Sequence, residues 1–181
     1  VSVGDFDVVK KVLAAEGEMT FWRVRMKPGK PLAFGRLETE GGRRVPMLGM
    51  PGNPVSVMVS FEVFARPAIL TMLGVTDLER PMLDATLVQE IASKDERRHY
   101  VRVCIERDGD DYRALLTGAQ GSGILTFMSA ADGLLVVPEG VSEVEAGEPV
   151  TAEKLNGIYR GLIASYYGPG YTIDADDEIE W

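Results

Sequence analysis

Two apolar runs joined by a short turn dominate the pattern of hydrophobic and polar positions along the chain. The first run, VPMLGM (45–50), has the length of a strand, and the second, which continues to Leu73, has the length of a helix. The turn between them, PGNP (51–54), contains Asn53, a favoured N-cap residue, and Pro54, which suits the first helical position. The pattern therefore predicts a buried strand, a tight turn and a buried helix that starts at Pro54.

A helix that opens directly after a strand directs its free N–H groups and the positive end of its dipole beyond the edge of the sheet. This geometry suits an anion, which the N–H groups around Gly52 to Ser56 would contact. The alternative is that Pro-Gly-Asn-Pro is only a turn, and the motif alone favours that simpler interpretation. The residues upstream change this balance.

Four cationic side chains lie within eight residues upstream of this unit: Arg23, Arg25, Lys27 and Lys30. TFWRVRMK (20–27) has the composition of a strand, and a turn, KPGKP (27–31), leads into a second strand, LAFGRL (32–37). The cluster could be a solvated basic turn. Because the chain carries a net charge of −9, however, a positive cluster beside a helix N-terminus favours a local oxyanion site.

The first residues place two carboxylates beside a Ser-Val-Gly turn. VSVGDFD (1–7) reads as a strand end and a turn, and Asp7 can cap a helix that stops at Gly17. Asp5 has no such capping role. The two carboxylates could hold Mg²⁺, which prefers one or two carboxylates together with substrate oxygens, whereas the alternative for Asp7 is a purely structural cap.

The pattern changes to short strands after a polar linker, and the boundary is predicted near Val75 to Pro81. DGDD (108–111) reads as a hairpin turn, and SGILTFMSAA (122–131) reads as a short helix. Arg102 and Gln120 are polar residues of this region, and Gln120 lies in a glycine-rich turn, TGAQGSG, that could present donors to an oxyanion. These strands predict a small β-barrel or sandwich, so the fold class is α/β plus all-β; the strands are ATLVQEIA (85–92), HYVRVCIER (99–107), YRALLTG (112–118), GLLVVPEG (133–140) and EPVTAEKL (148–155).

Composition and charge restrict the class of protein. Hydrophobic residues at 45% and charged residues at 26% are ordinary for a soluble globular protein, and the acidic balance argues against a nucleic-acid partner. Glu62 and Arg66 interrupt the longest apolar stretch, so no membrane span and no membrane partner is expected. Cys104 is the single cysteine, which excludes an internal disulfide and fits a reducing, cytoplasmic environment.

Three motifs, in this order and close together, resemble the molybdopterin molybdenumtransferase family, the molybdenum insertases that include MoeA and the E domain of gephyrin. The motifs are VSVGDFD, FWRVRMKPGKPLAFGRL and LGMPGNPVSVMVSFEVFARPAI. The resemblance continues into TGAQGSGILTFMSAADGLLVVPEG and covers roughly residues 1–155. It does not cover residues 156–181, an aromatic and then acidic tail.

The resemblance implies a division of the chain into three parts. Residues 1–76 would be the C-terminal part of a molybdopterin-binding α/β domain, residues 77–155 a small β-barrel domain, and residues 156–181 a tail. Because the chain begins without an initiator Met, at a point inside the family's first motif, we expect a fragment that lacks activity by itself. We also expect a homodimer, or association with the missing N-terminal portion.

The resemblance also implies a reaction and its residues. Molybdate would be inserted into adenylylated molybdopterin with Mg²⁺-assisted release of AMP, so the partners are small-molecule substrates. Asp5, Asp7, Lys27 and Lys30 would be catalytic, with Asp5 and Asp7 as the Mg²⁺ ligands. Cofactor binding would fall to Ser2, Gly4, Arg23, Pro51, Gly52, Asn53, Pro54, Ser56, Arg97 (or Arg98, if the alignment shifts by one residue) and Ser122.

Two other functions remain open from the sequence. One is adenylyl transfer from ATP to molybdopterin, which uses a similar α/β domain. The turn PGNPVS (51–56) and the C-terminal barrel favour insertion over it. The other is a gephyrin-like scaffold, in which the same domain dimerises and binds receptor peptides.

Overall fold

The computed structural model describes Val12 and residues 17–93, 96–121 and 126–155. The chain divides into two compact units between Leu78 and Glu79. The described strands of the first unit are β1 (Gly17–Arg23), β2 (Met26–Lys27), β3 (Pro31–Glu38) and β4 (Arg44–Gly49). Its described long helix, α1, spans Pro54–Met72.

Strands β1, β3 and β4 form an antiparallel sheet in the order β1-β3-β4. The predicted strand 20–27 is wrong at its C-terminal end, because β1 stops at Arg23 and only Met26 and Lys27 are extended again. Pro28 has no N–H to donate to a ladder, which limits extension beyond Lys27. The N–H of Val24 instead donates to the carbonyl of Lys30 at 2.8 Å and closes the chain into a loop.

Helix α1 begins at Pro54, as predicted, with Asn53 as its N-cap. From the sequence alone, Pro67 is expected to kink or end the helix locally. The helix does not end there, since it continues to Met72. A π-helical segment, Phe61–Ala65, precedes the proline, and the N–H of Arg66 donates to the carbonyl of Phe61. The wider turn accommodates the proline ring, which in a regular α-helix would clash with the carbonyl four residues earlier.

Strand β4 and helix α1 of the first unit are less buried than their apolar sequences predicted. Strand β4, predicted to be buried, is half-buried, because it is the last strand of the described three-stranded sheet. Helix α1, also predicted to be buried, has Val55 and Val59 fully buried but Ile69 exposed. By length and composition alone α1 could cross a membrane, yet core helices pass the same test and α1 buries Glu62, so it does not indicate a membrane span.

The second unit contains a closed five-stranded barrel in the order β7-β8-β5-β11-β9, with β9 pairing back to β7. Its described helix, α2, is Thr126–Ser129, which ends two residues before the predicted helix 122–131 does; residues 122–125 lie outside the described part. The strands are β5 (Met82–Leu87), β6 (Ile91–Ala92), β7 (Arg98–Asp108), β8 (Asp111–Leu116), β9 (Gly133–Val137), β10 (Glu143–Val144) and β11 (Pro149–Lys154).

Inward-facing apolar side chains fill the barrel. Leu87, Val103 and Leu135 are at most 2% exposed and belong to one buried cluster. The predicted hairpin at DGDD is confirmed, because Asp108 pairs with Asp111 and Gly109 has a φ of 64°. Closure removes the free strand edges that an open sheet of this size would expose.

Candidate functional site

The start of helix α1 is fixed by its N-cap. Asn53 is extended, with φ −72° and ψ 129°, and its Oδ1 accepts the N–H of Ser56 at 3.2 Å. The Ser56 hydroxyl lies 3.5 Å from the same oxygen. The cap occupies the Ser56 N–H and Pro54 has none, so within the described chain the donors left for an anion here are those of Gly52, Asn53 and Val55.

The Lys27–Lys30 turn carries the two candidate lysines on a compact loop. The Lys27–Pro28 peptide bond is cis, and Gly29 has a φ of 111°, a conformation that favours glycine. Lys30 is exposed and Lys27 is half-buried, while Met26 beneath them is only 2% exposed. Arg23, at the end of β1, is exposed and pairs in register with Pro31.

The Lys27–Lys30 turn packs against the face of helix α1 that carries Ser56 and Ser60. A Cβ on Gly29 would lie 2.7 Å from the Oγ of Ser60 and 2.9 Å from the Cε of Met26. Ser56 and Ser60 are both buried and one helical turn apart, about 6 Å along the axis. The structure thus brings the lysine turn against Ser60, the seventh residue of α1 and about two helical turns from the helix start.

The buried face of α1 also holds an unpaired hydroxyl. Ser60 is 0% exposed, and its Oγ has no hydrogen-bond partner among the described residues. Close approach of the Gly29 backbone explains why a small side chain stands here.

Several predicted site residues lie outside the described residues: Ser2, Gly4, Asp5, Asp7 and Ser122. Within residues 17–93, 96–121 and 126–155, no group of three His, Cys, Asp or Glu side chains could hold a metal ion. The Mg²⁺ assignment therefore stays a prediction for Asp5 and Asp7, which lie outside those residues.

In the second unit, the two candidate arginines have different surroundings. Arg98 donates from Nε and Nη2 to one carboxylate oxygen of Glu139, at 3.2 and 3.1 Å. This hydrogen bond, with a further one to Tyr100, raises the pKa of Arg98, while burial raises the pKa of the Tyr100 hydroxyl. Arg97, immediately before β7, is half-buried.

Arg102 is a residue whose environment sequence reasoning missed. Its side chain is 0% exposed, and its Nη2 donates to the carbonyls of Ala119 and Gly121 at 3.2 and 3.0 Å. Burial lowers the pKa of Arg102 to about 10. The signal was its position opposite a glycine-rich turn, but alternation along β7 alone predicts an exposed side chain on the face opposite Val101 and Val103.

Comparisons with known proteins agree in covering both units. A family model described as "Probable molybdopterin binding domain" matches residues 1–71, and one described as "MoeA C-terminal region (domain IV)" matches residues 84–155. Molybdopterin molybdenumtransferase 2 of Mycobacterium tuberculosis is 34% identical over 153 residues, covering 81% of this chain and 36% of the relative. Gephyrin of Dictyostelium discoideum is 34% identical, covering 84% of this chain and 24% of the relative.

A solved structure is also similar to this chain. The molybdopterin biosynthesis MoeA protein of Pyrococcus horikoshii matches with a TM-score of 0.66 and 29% identity, covering 82% of this chain and 34% of that chain. The chain spans about a third of the length of the curated molybdenumtransferases that it matches.

Proposed function

Because the chain belongs to the MoeA and gephyrin family, we propose that the protein acts in molybdenum cofactor biosynthesis as a molybdopterin molybdenumtransferase. The reaction is the insertion of molybdate into adenylylated molybdopterin with release of AMP. The observation that carries this proposal is the packing of the Lys27–Lys30 turn on helix α1, at Ser60. That contact holds the loop that carries both lysines about two helical turns from the N-terminal donors of the helix, a distance that a lysine side chain can span.

The chemistry of this arrangement is the management of negative charge. Phosphate and molybdate oxygens would be neutralised by Lys27 and Lys30 and by the backbone donors of Gly52, Asn53 and Val55. At an effective dielectric near 20, an ammonium about 4 Å from an oxyanion contributes roughly 4 kcal/mol before desolvation. The Arg97 and Ser122 positions of the second unit are proposed separately to contact molybdate.

The dependence on Mg²⁺ stays a prediction, since Asp5 and Asp7 lie outside the described residues. Their carboxylates would hold the cation, which would polarise the phosphoanhydride of the substrate. Asp7→Asn keeps a capping oxygen, so we expect stability to change little while activity and its Mg²⁺ dependence collapse. Equal activity in the variant and the parent would leave Asp7 as a helix cap only.

The lysine assignment is tested by Lys27→Ala and Lys30→Ala in the full-length gene product. Each variant should lower molybdate-dependent turnover at least tenfold while the circular dichroism spectrum and the unfolding midpoint are kept, since both side chains lie on a surface turn. Arg43→Ala is the matched control, because it removes an exposed cation from a different loop of the same unit. Full activity in both lysine variants would contradict the assignment.

We further propose a cytoplasmic protein that forms homodimers. The gephyrin relative is compatible with a scaffold function as well. Robust dimers without any binding of adenylylated molybdopterin would favour the scaffold.

A further inference from the structure

The turn Thr117–Gly121, which follows β8, lies directly over the buried guanidinium of Arg102. Arg102 Nη2 donates to the carbonyls of Ala119 and Gly121, at 3.2 and 3.0 Å. The N–H of Thr117 donates to the Arg102 carbonyl at 3.2 Å, and the Thr117 hydroxyl lies 3.3 Å from the same oxygen. The turn is therefore tied to one residue of β7 at both its ends.

Gln120, which lies within the turn, forms hydrogen bonds with the backbone of Arg102. Its Oε1 accepts the backbone N–H of Arg102 at 2.9 Å. Its Nε2 donates to the carbonyls of Arg102 and Gly118, at 3.2 and 3.0 Å. The carbonyls of Gly118, Ala119 and Gly121 thus all point toward the Arg102 and Gln120 side chains.

Because peptide groups are planar, a carbonyl that faces inward leaves the N–H of the next residue facing outward. In a trans peptide, the C=O of one residue and the N–H of the next point in opposite directions. The N–H of Ala119 consequently points away from Gln120 Nε2, and the N–H of Gln120 points away from Arg102 Nη2. Neither N–H has an acceptor in the part of the chain that the structure describes. Consecutive backbone N–H groups that face the same side form an anion-binding concavity.

Arg102 adds a positive charge behind this concavity. Its Nε and Nη1 are buried without a hydrogen-bond partner, and no carboxylate pairs with it among the described residues. Buried charges in proteins are normally paired. An uncompensated guanidinium here favours an anion on the outer side of the turn.

We propose that Arg102 is a positioning residue for molybdate: it holds the carbonyls of the Thr117–Gly121 turn inward, so that the Ala119 and Gln120 N–H groups face a tetrahedral oxyanion. The identity of the oxyanion rests on the proposed function. The positioning itself rests on the contacts above. Arg102 does not touch the anion in this arrangement, because the turn separates them.

The test is a titration of the ¹⁵N-labelled chain, residues 1–181, with sodium molybdate, followed by amide chemical shifts. The Ala119 and Gln120 amides should shift and saturate together. Arg102→Lys keeps the charge but loses the planar fork that reaches two carbonyls, so the apparent Kd for molybdate should rise at least tenfold. Arg107→Lys is the matched control and should leave the Kd within twofold, since Arg107 is an exposed arginine of β7 that donates to one carbonyl, that of Gly109.

A second variant keeps the test valid if Arg102→Lys does not fold. Gln120→Glu replaces the donor that faces the Arg102 and Gly118 carbonyls by an acceptor, and it should also weaken molybdate binding at least tenfold. A purely structural brace would lower the unfolding midpoint of these variants and leave the Kd of the folded chain unchanged.

The outcomes separate this inference from the proposed function. Molybdate binding that shifts other amides but neither Ala119 nor Gln120, or an unchanged Kd in folded Arg102→Lys or Gln120→Glu, would overturn the positioning role alone. Absence of molybdate binding by the parent chain, together with AMP release by the full-length gene product that ignores molybdate, would overturn both.

Discussion

Gly29 lies at the contact between the Lys27–Lys30 turn and helix α1, and it tests that contact most simply. Gly29→Ala should lower the free energy of unfolding, because its φ of 111° is strained for alanine and its new Cβ would meet Ser60 Oγ at 2.7 Å. Backbone strain of this kind costs roughly 1–3 kcal/mol, and the clash adds to it. Urea denaturation measures the loss.

Gly42→Ala is the control for the Gly29 variant. Gly42 also has a positive φ, of 72°, but a Cβ there meets nothing within 4 Å. Gly42→Ala should therefore lower the free energy of unfolding by the cost of backbone strain only. Equal losses in the two variants would show that the turn does not press against the helix.

Removal of the Ser60 hydroxyl, unlike the Gly29 substitution, should not lower the free energy of unfolding. Its Oγ is buried without a partner in the described part of the chain, so Ser60→Ala should be neutral or should slightly raise the free energy of unfolding. A loss of more than about 1 kcal/mol in urea denaturation would show that Ser60 makes a hydrogen bond after all.

Sequence reasoning at the residue scale found side-chain chemistry but not side-chain environment. Lys27 and Lys30 could be identified because two cations flank a Pro-Gly turn in an acidic chain. The contact of Gly29 with Ser60 joins residues far apart in the sequence, so no local pattern encodes it. The burial of Arg102 likewise depends on Ala119 and Gly121, which reach it only after the hairpin has folded.

Helix α1 is the element whose start was most fully encoded. Asn53→Ala should lower the free energy of unfolding by about 0.5–2 kcal/mol, because it removes the acceptor of the Ser56 N–H. Asn53→Asp keeps an acceptor oxygen and should lose much less. If urea denaturation gives the same loss for both variants, the cap does not stabilise the helix.

The same helix shows where sequence reasoning fails for an element. Asn53 and Pro54 act locally, so the start could be predicted. Pro67 reads as a helix end because a regular helix has no room for its ring, whereas the π-helical segment Phe61–Ala65 provides it. That rearrangement depends on packing along the helix, which apolar periodicity does not report.

At the scale of the whole molecule, the described part of the first unit exposes several large apolar side chains, and contiguous patches of such side chains mark association surfaces. Trp22 and Phe34 are 59% and 55% exposed and lie diagonally on one face of the sheet, and Met72 and Leu73 are 65% and 72% exposed. We predict that the 19.8 kDa chain self-associates. Light scattering should give at least the mass of a dimer, and a monodisperse monomer would contradict this.

Fold class could be predicted for the whole chain because each half has its own signal. An apolar helix with a capped start indicates α/β packing, and short strands between turn residues indicate a barrel. Closure of the barrel through the pairing of β7 with β9 could not be predicted, since it joins strands more than 20 residues apart. Its register depends on the packed interior.

The central claim is that this protein inserts molybdate into adenylylated molybdopterin, and AMP release by the full-length gene product tests it most directly. The purified protein is incubated with adenylylated molybdopterin, with and without molybdate, and AMP is quantified over time. We predict that AMP appears only when molybdate is present and that the pterin product carries molybdenum. AMP release at the same rate without molybdate, or no AMP release in its presence, would contradict the account.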